Sequence, residues 1–335
     1  MGRFGRSVRV LREDDVRATL DMASCIEACD LAFASYSRGG AALPGVISLN
    51  IPERQGEVHV KAGHLHGAPF YAVKVASGFP RNLELGLPAS DGMVIVFDSD
   101  NGEPAAFLLD GGYLTSVRTG AAGGVAAKYL APEKVWNVAV IGTGDQARYQ
   151  LDALAIVRPG FTHVSVWGRH PDRAATLVAE LPNRPGLPDG CTYEVAPSAD
   201  EAVHDADVVI TCTGSQSALV RGEWLKLGAH VTAVGSDAPD KQELDPNLPA
   251  RADLLVVDSR TQCAAIGELH HALAAGLIDK TKAVELGEIC AKTHPGRTSA
   301  SQLTVCDLTG VGVQDVAAAN VVMEHIGERG EVIEL

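Results

Sequence analysis

Four features of this sequence have the residue types and spacing to do chemistry. The first is Gly142-Thr143-Gly144-Asp145-Gln146-Ala147, a G-x-G-x-x-A run directly after an apolar stretch, Asn137–Ile141. The first glycine allows a tight turn and the second lets backbone approach a pyrophosphate. Ala147 permits close packing of a helix whose N-terminus faces the anion, so the run predicts a dinucleotide-binding loop. The second is Lys74, inside the apolar run Phe70–Ala76. A buried ammonium there is driven toward neutral pKa, which makes it a usable proton donor or acceptor. Arg118 is the third: its planar, always-charged fork suits an α-carboxylate, and its place beside the small-residue helix Thr119–Tyr129 calls for an anion. The fourth is Asp237, just past the apolar run His230–Val234, where α/β sheets place their ligands and where turns also favour aspartate.

The residues that discriminate between cofactors lie at the end of a second apolar run, His163–Trp167. An NAD site usually carries an acid there for the ribose hydroxyls, but this chain reads Trp167-Gly168-Arg169-His170. Gly168 removes the carboxylate that would repel a 2′-phosphate. Arg169 either pairs with that phosphate or stacks on adenine with either cofactor. The expectation is an NAD(P) site that favours NADP. Thr213 and Val234-Gly235, at the ends of two further strands, complete the expected cofactor-binding set with Gly142, Thr143, Gly144, Asp145, Gln146, Ala147, Gly168 and Arg169. His59, His64 and His66 invite a metal reading, yet H-x4-H-x-H lacks a neighbouring Cys or carboxylate of the usual kind, so no metal is expected. His270 and His271 are expected on a partly exposed face of a helix Cys263–Ala275, and Cys25 and Cys29, four apart on a helix, in the core.

These side chains need elements to hold them, and the hydrophobic period supplies three zones. Up to about Leu130 the pattern is mixed: a helix near Ala23–Tyr36, strands at Glu57–Ala62, Phe70–Ala76 and Met93–Asp98, a strand and turn at Gly112–Thr115, then a helix beginning with Arg118. After Ala131-Pro132-Glu133-Lys134, apolar strands Asn137–Ile141, His163–Trp167, Val208–Cys212, His230–Val234 and Leu254–Asp258 alternate with helices such as Asp172–Leu181. Their continuous apolar character is what a parallel sheet covered on both faces requires. From Arg297 a polar stretch leads to a strand Leu303–Leu308 and a helix from Gln314 to about Ile326, expected to pack back on the first zone. The fold class expected is α/β: a Rossmann doubly wound domain at 134–297, and a discontinuous α+β substrate and dimerisation domain at 1–133 and 298–335.

Composition narrows the partners. The chain has 335 residues, about two domains at ~150 residues each. Its net charge of −14 repels phosphate backbones and anionic lipid headgroups, and 5% aromatic residues leave little for base stacking. Neither nucleic acid nor membrane is expected as a partner. Seven cysteines without a C-x-x-C pair fit reduced thiols in a cytoplasm. No apolar run approaches the ~20 residues that span a bilayer. The start, MGRFGRSVRVLREDD, lacks an apolar leader core, and Arg6 stands where a myristoylation signal wants Ser or Thr.

Six segments in order then carry a family resemblance: Tyr71-Ala72-Val73-Lys74-Val75 with Pro80-Arg81-Asn82, Gly86-Leu87-Pro88, Leu114-Thr115-Ser116-Val117-Arg118-Thr119, the Gly142 loop, and Ala233-Val234-Gly235-Ser236-Asp237-Ala238-Pro239. On these the chain resembles the ornithine cyclodeaminase/mu-crystallin family over nearly its whole length. Glu57–Gly67 and Ser77–Pro88 look most like a branch associated with ectoine-utilisation clusters. The resemblance implies a homodimer and hydride transfer between a nicotinamide and the Cα–N bond of a small L-amino acid or its cyclic imine. It implies Lys74 at the substrate, Arg118 on the carboxylate and Asp237 as the acid that holds and deprotonates the amine. A cyclodeaminase that recycles NAD and a crystallin-like ligand-binding protein are the alternatives. The chain departs from the pattern at Leu43–Leu49, which contains no second carboxylate-binding arginine; Lys61 is the candidate replacement. His59 stands where ornithine cyclodeaminases carry a glutamate, which counts against ornithine as substrate.

Overall fold

The computed structural model describes residues 7–334; Arg6 and the residues before it lie outside that range. The chain divides into two units, one made of residues up to Arg118 and from Val311 on, the other running Thr119–Gly310.

The first unit is a mixed sheet in the order Glu331–Glu334, Ser7–Arg12, Pro104–Leu109, Ser90–Asp98, Phe70–Gly78, Gly56–Leu65 and Ala41–Ala42, with Ile47–Ile51 also pairing to Gly56–Leu65. Helices Met22–Ser37 and Gly312–His325 pack on each other and on strands Gly56–Leu65 and Phe70–Gly78, so the last helix does return to the first zone. Register defines the covered face: Lys74, Val94 and Leu108 stand opposite one another across three strands, with Ala72, Val96 and Ala106 in the next row, all buried. Period-2 alternation puts Lys74 in the apolar row rather than in water.

The second unit is an all-parallel eight-stranded sheet ordered Thr192–Val195, His163–Trp167, Asn137–Ile141, Val208–Thr211, His230–Ala233, Thr304–Asp307, Leu254–Val257, Val284–Glu285. Four of these strands are buried throughout, as continuous apolar runs demand. The order reverses between Asn137–Ile141 and Val208–Thr211, the switch point at which doubly wound sheets bind dinucleotides.

Several expectations are corrected. Strand Thr304–Asp307 is inserted between His230–Ala233 and Leu254–Val257, so the chain leaves the second unit at Gly310, not at 297. The boundary on the other side falls at Arg118, inside one continuous helix Tyr113–Leu130, not at 133. Gly112–Thr115 is therefore no strand: the strand ends at Leu109, and Gly111 and Gly112, both at positive φ (60° and 88°), turn the chain into the helix. Helix 263–275 is broken in two, Arg260–Ala265 and Gly267–Ala274, because Gly267 sits at φ 86° with Asp307 where a side chain would begin.

Candidate active site

In the first unit a buried charge cluster gathers around Asp315, on helix Gly312–His325. Its Oδ1 lies 2.8 Å from Lys74 Nζ and 2.8 Å from Arg118 Nε, and all three side chains are at least nine-tenths buried. Asp315 Oδ2 is buried with no hydrogen-bond partner. Arg118 reaches the cluster from the second turn of helix Tyr113–Leu130, so the anion that justifies it is a carboxylate of this chain rather than a helix-terminal site. Gln314 ties the helices by donating to the Arg118 carbonyl at 3.2 Å. Lys61 stands directly opposite Lys74 in the antiparallel register and adds its field to the cluster. Burial, then Arg118, lowers the Lys74 pKa to about 7, and Lys61 adds to that against the opposing pull of Asp315. Burial would raise the Asp315 carboxyl, but Arg118, Lys74 and Lys61 outweigh it and hold it below its ordinary value. Three cationic side chains thus converge on one carboxylate in a dry site, an arrangement complementary to a further anion.

His59 shares the face of Lys61 two residues away. Its Nδ1 is 3.1 Å from Ser48 Oγ and its Nε2 3.7 Å from Glu57. Asp315 was not singled out from sequence: one aspartate in Val311-Gly312-Val313-Gln314-Asp315 looks like a first-turn helix acid. The available signal was its position one turn into an otherwise small and apolar helix, where a charge needs a buried partner.

In the second unit the Gly142 loop lies at the switch point. Gly142 adopts φ 135°, and a Cβ there would stand 2.7 Å from the Cys212 carbonyl oxygen, so only glycine fits. Gly144 caps helix Asp145–Val157 and has open space where its side chain would be, which is the cradle a pyrophosphate needs; Ala147 is buried against the sheet. These residues fit a dinucleotide. Thr143 packs on Gly168, where a Cβ would meet its methyl group at 2.6 Å, and the neighbouring Arg169 is exposed. Gly168 therefore has a steric reason.

Sequence reading missed the support of this edge. Glu243 is fully buried and its carboxylate accepts from Thr213 N (2.5 Å), Gly235 N (2.8 Å) and Thr211 Oγ1 (2.7 Å), pinning the ends of two adjacent strands. Glu268 in turn accepts from the backbone of Glu243 and Leu244. Burial raises both carboxyls. Asp237 lies past strand His230–Ala233 as expected, half-exposed and paired with Lys241 Nζ at 2.7 Å. Val234 leads into this turn, its N–H bonded to the Thr211 carbonyl.

Comparison with known proteins agrees with this geometry. The sequence pattern of the ornithine cyclodeaminase/mu-crystallin family matches residues 7–330. An uncharacterized cyclodeaminase from Sinorhizobium fredii is 40% identical over 328 residues, 96% of this chain and 97% of its own. Among solved structures, an archaeal alanine dehydrogenase dimer with bound NAD is 32% identical with a TM-score of 0.89, over 98% of this chain and 99% of that one. The Δ1-pyrroline-2-carboxylate reductase of Thermococcus litoralis, in complex with NADH and L-proline, is 29% identical with a TM-score of 0.90, over 98% and 100% of the chains.

Proposed function

The chain belongs to the ornithine cyclodeaminase/mu-crystallin family, and from that premise we propose that it is an NAD(P)-dependent oxidoreductase of the Cα–N bond, reducing a small, often cyclic, imino acid or oxidising the matching L-amino acid. The observation that carries this reading is the buried Lys74–Asp315–Arg118 cluster: a lysine poised near neutrality beside a surplus of positive charge suits a substrate with a carboxylate and a nitrogen that gains or loses a proton. Relatives named as an alanine dehydrogenase and a pyrroline-carboxylate reductase support the same substrate class.

In the reductive direction Arg118, with Lys61 opposite Lys74, holds the carboxylate, and Lys74 as ammonium gives its proton to the imine nitrogen. The Gly142 loop would hold the dinucleotide, and the chemistry its nicotinamide would supply is transfer of a hydride to or from the α-carbon. Asp315 keeps Arg118 and Lys74 in place. In the oxidative direction Lys74 acts as free amine, and Asp237 accepts a proton from the substrate ammonium. NADP is favoured: no acid follows strand His163–Trp167, and the exposed Arg169 is available to a 2′-phosphate. The neighbours contain NAD(H), so the support for NADP comes from this chain's own residues alone. A homodimer is supported by large apolar side chains left exposed on the first unit, among them Ile47, Leu49 and Leu85. Among the described residues no helix is long and apolar enough to cross a membrane. The seven cysteines are free, and reduced thiols support a cytoplasmic setting.

The test is a panel of amino acids and cyclic imines with NADH and NADPH, following nicotinamide absorbance and ammonia, on wild type and Lys74→Ala. Losing a positioned acid costs about 10²-fold or more in turnover, with dinucleotide affinity nearly intact. Full activity in Lys74→Ala on the best substrate overturns the reading. Ammonia release without net nicotinamide turnover identifies the cyclodeaminase alternative.

A further inference from the structure

Lys74 is 1% exposed, so once it has given up its proton, bulk water cannot directly return one. Its ion-pair partner Asp315 is held as the carboxylate by Arg118, Lys74 and Lys61 and stores no proton. The unit contains a second buried carboxyl, Asp110, which the reading above does not use. Asp110 is 1% exposed. Its Oδ2 accepts from Leu114 N at 2.6 Å, occupying a free N–H in the first turn of the helix that carries Arg118, while its Oδ1 is buried with no hydrogen-bond partner. Register places it. Leu108 lies in the same cross-strand row as Lys74 and Val94, and Asp110 is two residues further along, one step beyond the strand's end. The residue after it, Gly111, is exposed in the surface turn.

We propose that Asp110 is the proton reservoir of Lys74: its Oδ1 carries a proton that passes to Lys74 Nζ through an intervening water after Lys74 has protonated the substrate nitrogen. The step balances, since the O–H bond of Asp110 breaks, an N–H bond on Lys74 forms, and a carboxylate is left beside the restored ammonium. Asp110 itself is buried, but its chain neighbour Gly111 is exposed, so the reservoir lies one residue from solvent where Lys74 lies inside the sheet. Burial raises the Asp110 carboxyl, opposed by backbone N–H groups and by the charge of Lys74, so the two groups lie within each other's electrostatic reach. The other charged groups around this path are Arg118 on the helix Asp110 caps, Lys61 on strand Gly56–Leu65, Asp315 on the last helix, and Glu13, whose carboxylate is 3.6 Å from where a side chain at Gly111 would begin.

The proposal rests on Lys74 being the proton donor, and the experiment separates the two. Asp110→Asn keeps an acceptor for Leu114 N–H but cannot carry the proton. In imine reduction its kcat should fall on the order of 10-fold or more at unchanged KM, melting temperature and dinucleotide affinity. The alkaline limb of its pH profile should move to lower pH, because Lys74 loses a nearby group that becomes anionic when it gives up its proton. Asp110→Glu, which retains an acid, should recover part of the rate. If Asp110→Asn does not fold, Asp110→Ser keeps a capping oxygen without a titrating group and is read in the same way. Wild-type kcat and pH profile in the Asn variant overturn the proposal. So does a loss of rate that comes with parallel losses of stability and affinity at an unmoved limb, since that is the signature of a cap alone. A silent Asp110→Asn beside an inactive Lys74→Ala removes only the reservoir, whereas an active Lys74→Ala removes the reading on which it rests.

Discussion

The chemistry of the first unit follows from how few carboxylates share a dry volume with how many cations. Lys74 titrates at about 7 because burial and Arg118 together outweigh Asp315. Imine reduction uses the ammonium form, so its kcat should be full below that pH and fall as pH rises through about 7. Amino-acid oxidation uses the free amine and should rise over the same range, and pH profiles of both directions check the crossing. Asp315→Asn is the severe substitution. It removes the only carboxylate paired with Lys74 and Arg118 in the described residues and leaves two buried cations, a change that costs about 3–5 kcal/mol when one partner of a buried pair is lost. Urea denaturation should show that loss, with Lys74 pushed to still lower pKa and reduction weakened at neutral pH. Stability equal to wild type would mean that the carboxylate does not hold the cluster together.

At the scale of elements, the proposed preference between dinucleotides rests on the loop after strand His163–Trp167. Electrostatics alone would make Gly168→Asp the natural switch from NADPH to NADH, but Thr143 occupies the space of any Cβ at 168, so that substitution should disturb the Gly142 loop and weaken both cofactors. Arg169→Ala is the cleaner probe, because Arg169 is exposed. The NADPH advantage should shrink by about 10-fold, the weight of one charge-assisted contact to a phosphate, while the melting temperature stays fixed. Calorimetric titration of both cofactors checks it, and equal binding ratios in wild type and variant would leave Arg169 stacked on adenine. The dinucleotide loop was legible in sequence because its glycines, strand and helix are contiguous, and Lys74 because one charge broke an apolar run. Asp315 and Glu243 were not, since each acts on residues far away in the chain: Asp315 meets Lys74 across 241 positions and Glu243 meets Thr211 across 32. The misplaced boundary has a similar origin. Strand Thr304–Asp307 enters the parallel sheet out of sequence order, and nothing in its own four residues says which sheet will take it.

On the scale of the whole molecule, the first unit leaves large apolar side chains exposed. Helices Met22–Ser37 and Gly312–His325 cover strands Gly56–Leu65 and Phe70–Gly78 on one face of its sheet, and buried rows of side chains on that face belong to its core. Apolar side chains remain on the other elements of the same unit: Ile47 and Leu49 on the strand Ile47–Ile51, Leu83 and Leu85 on the turn Pro80–Leu85, then Leu87 and Met93, with Leu85 73% exposed. A net charge of −14 on each chain opposes association through polar surface, so the proposed pair is expected to bury apolar side chains of this kind. Light scattering should therefore give twice 35.0 kDa at micromolar concentration. Leu49→Glu and Leu85→Glu together should shift the mass to that of one chain, because two like-sign carboxylates would face their symmetry mates in a two-fold interface. Dinucleotide titration gives the control, as the Gly142 loop belongs to the other unit and should bind as before. A wild-type mass of one chain removes the dimer, and a variant that remains dimeric moves its interface away from these residues.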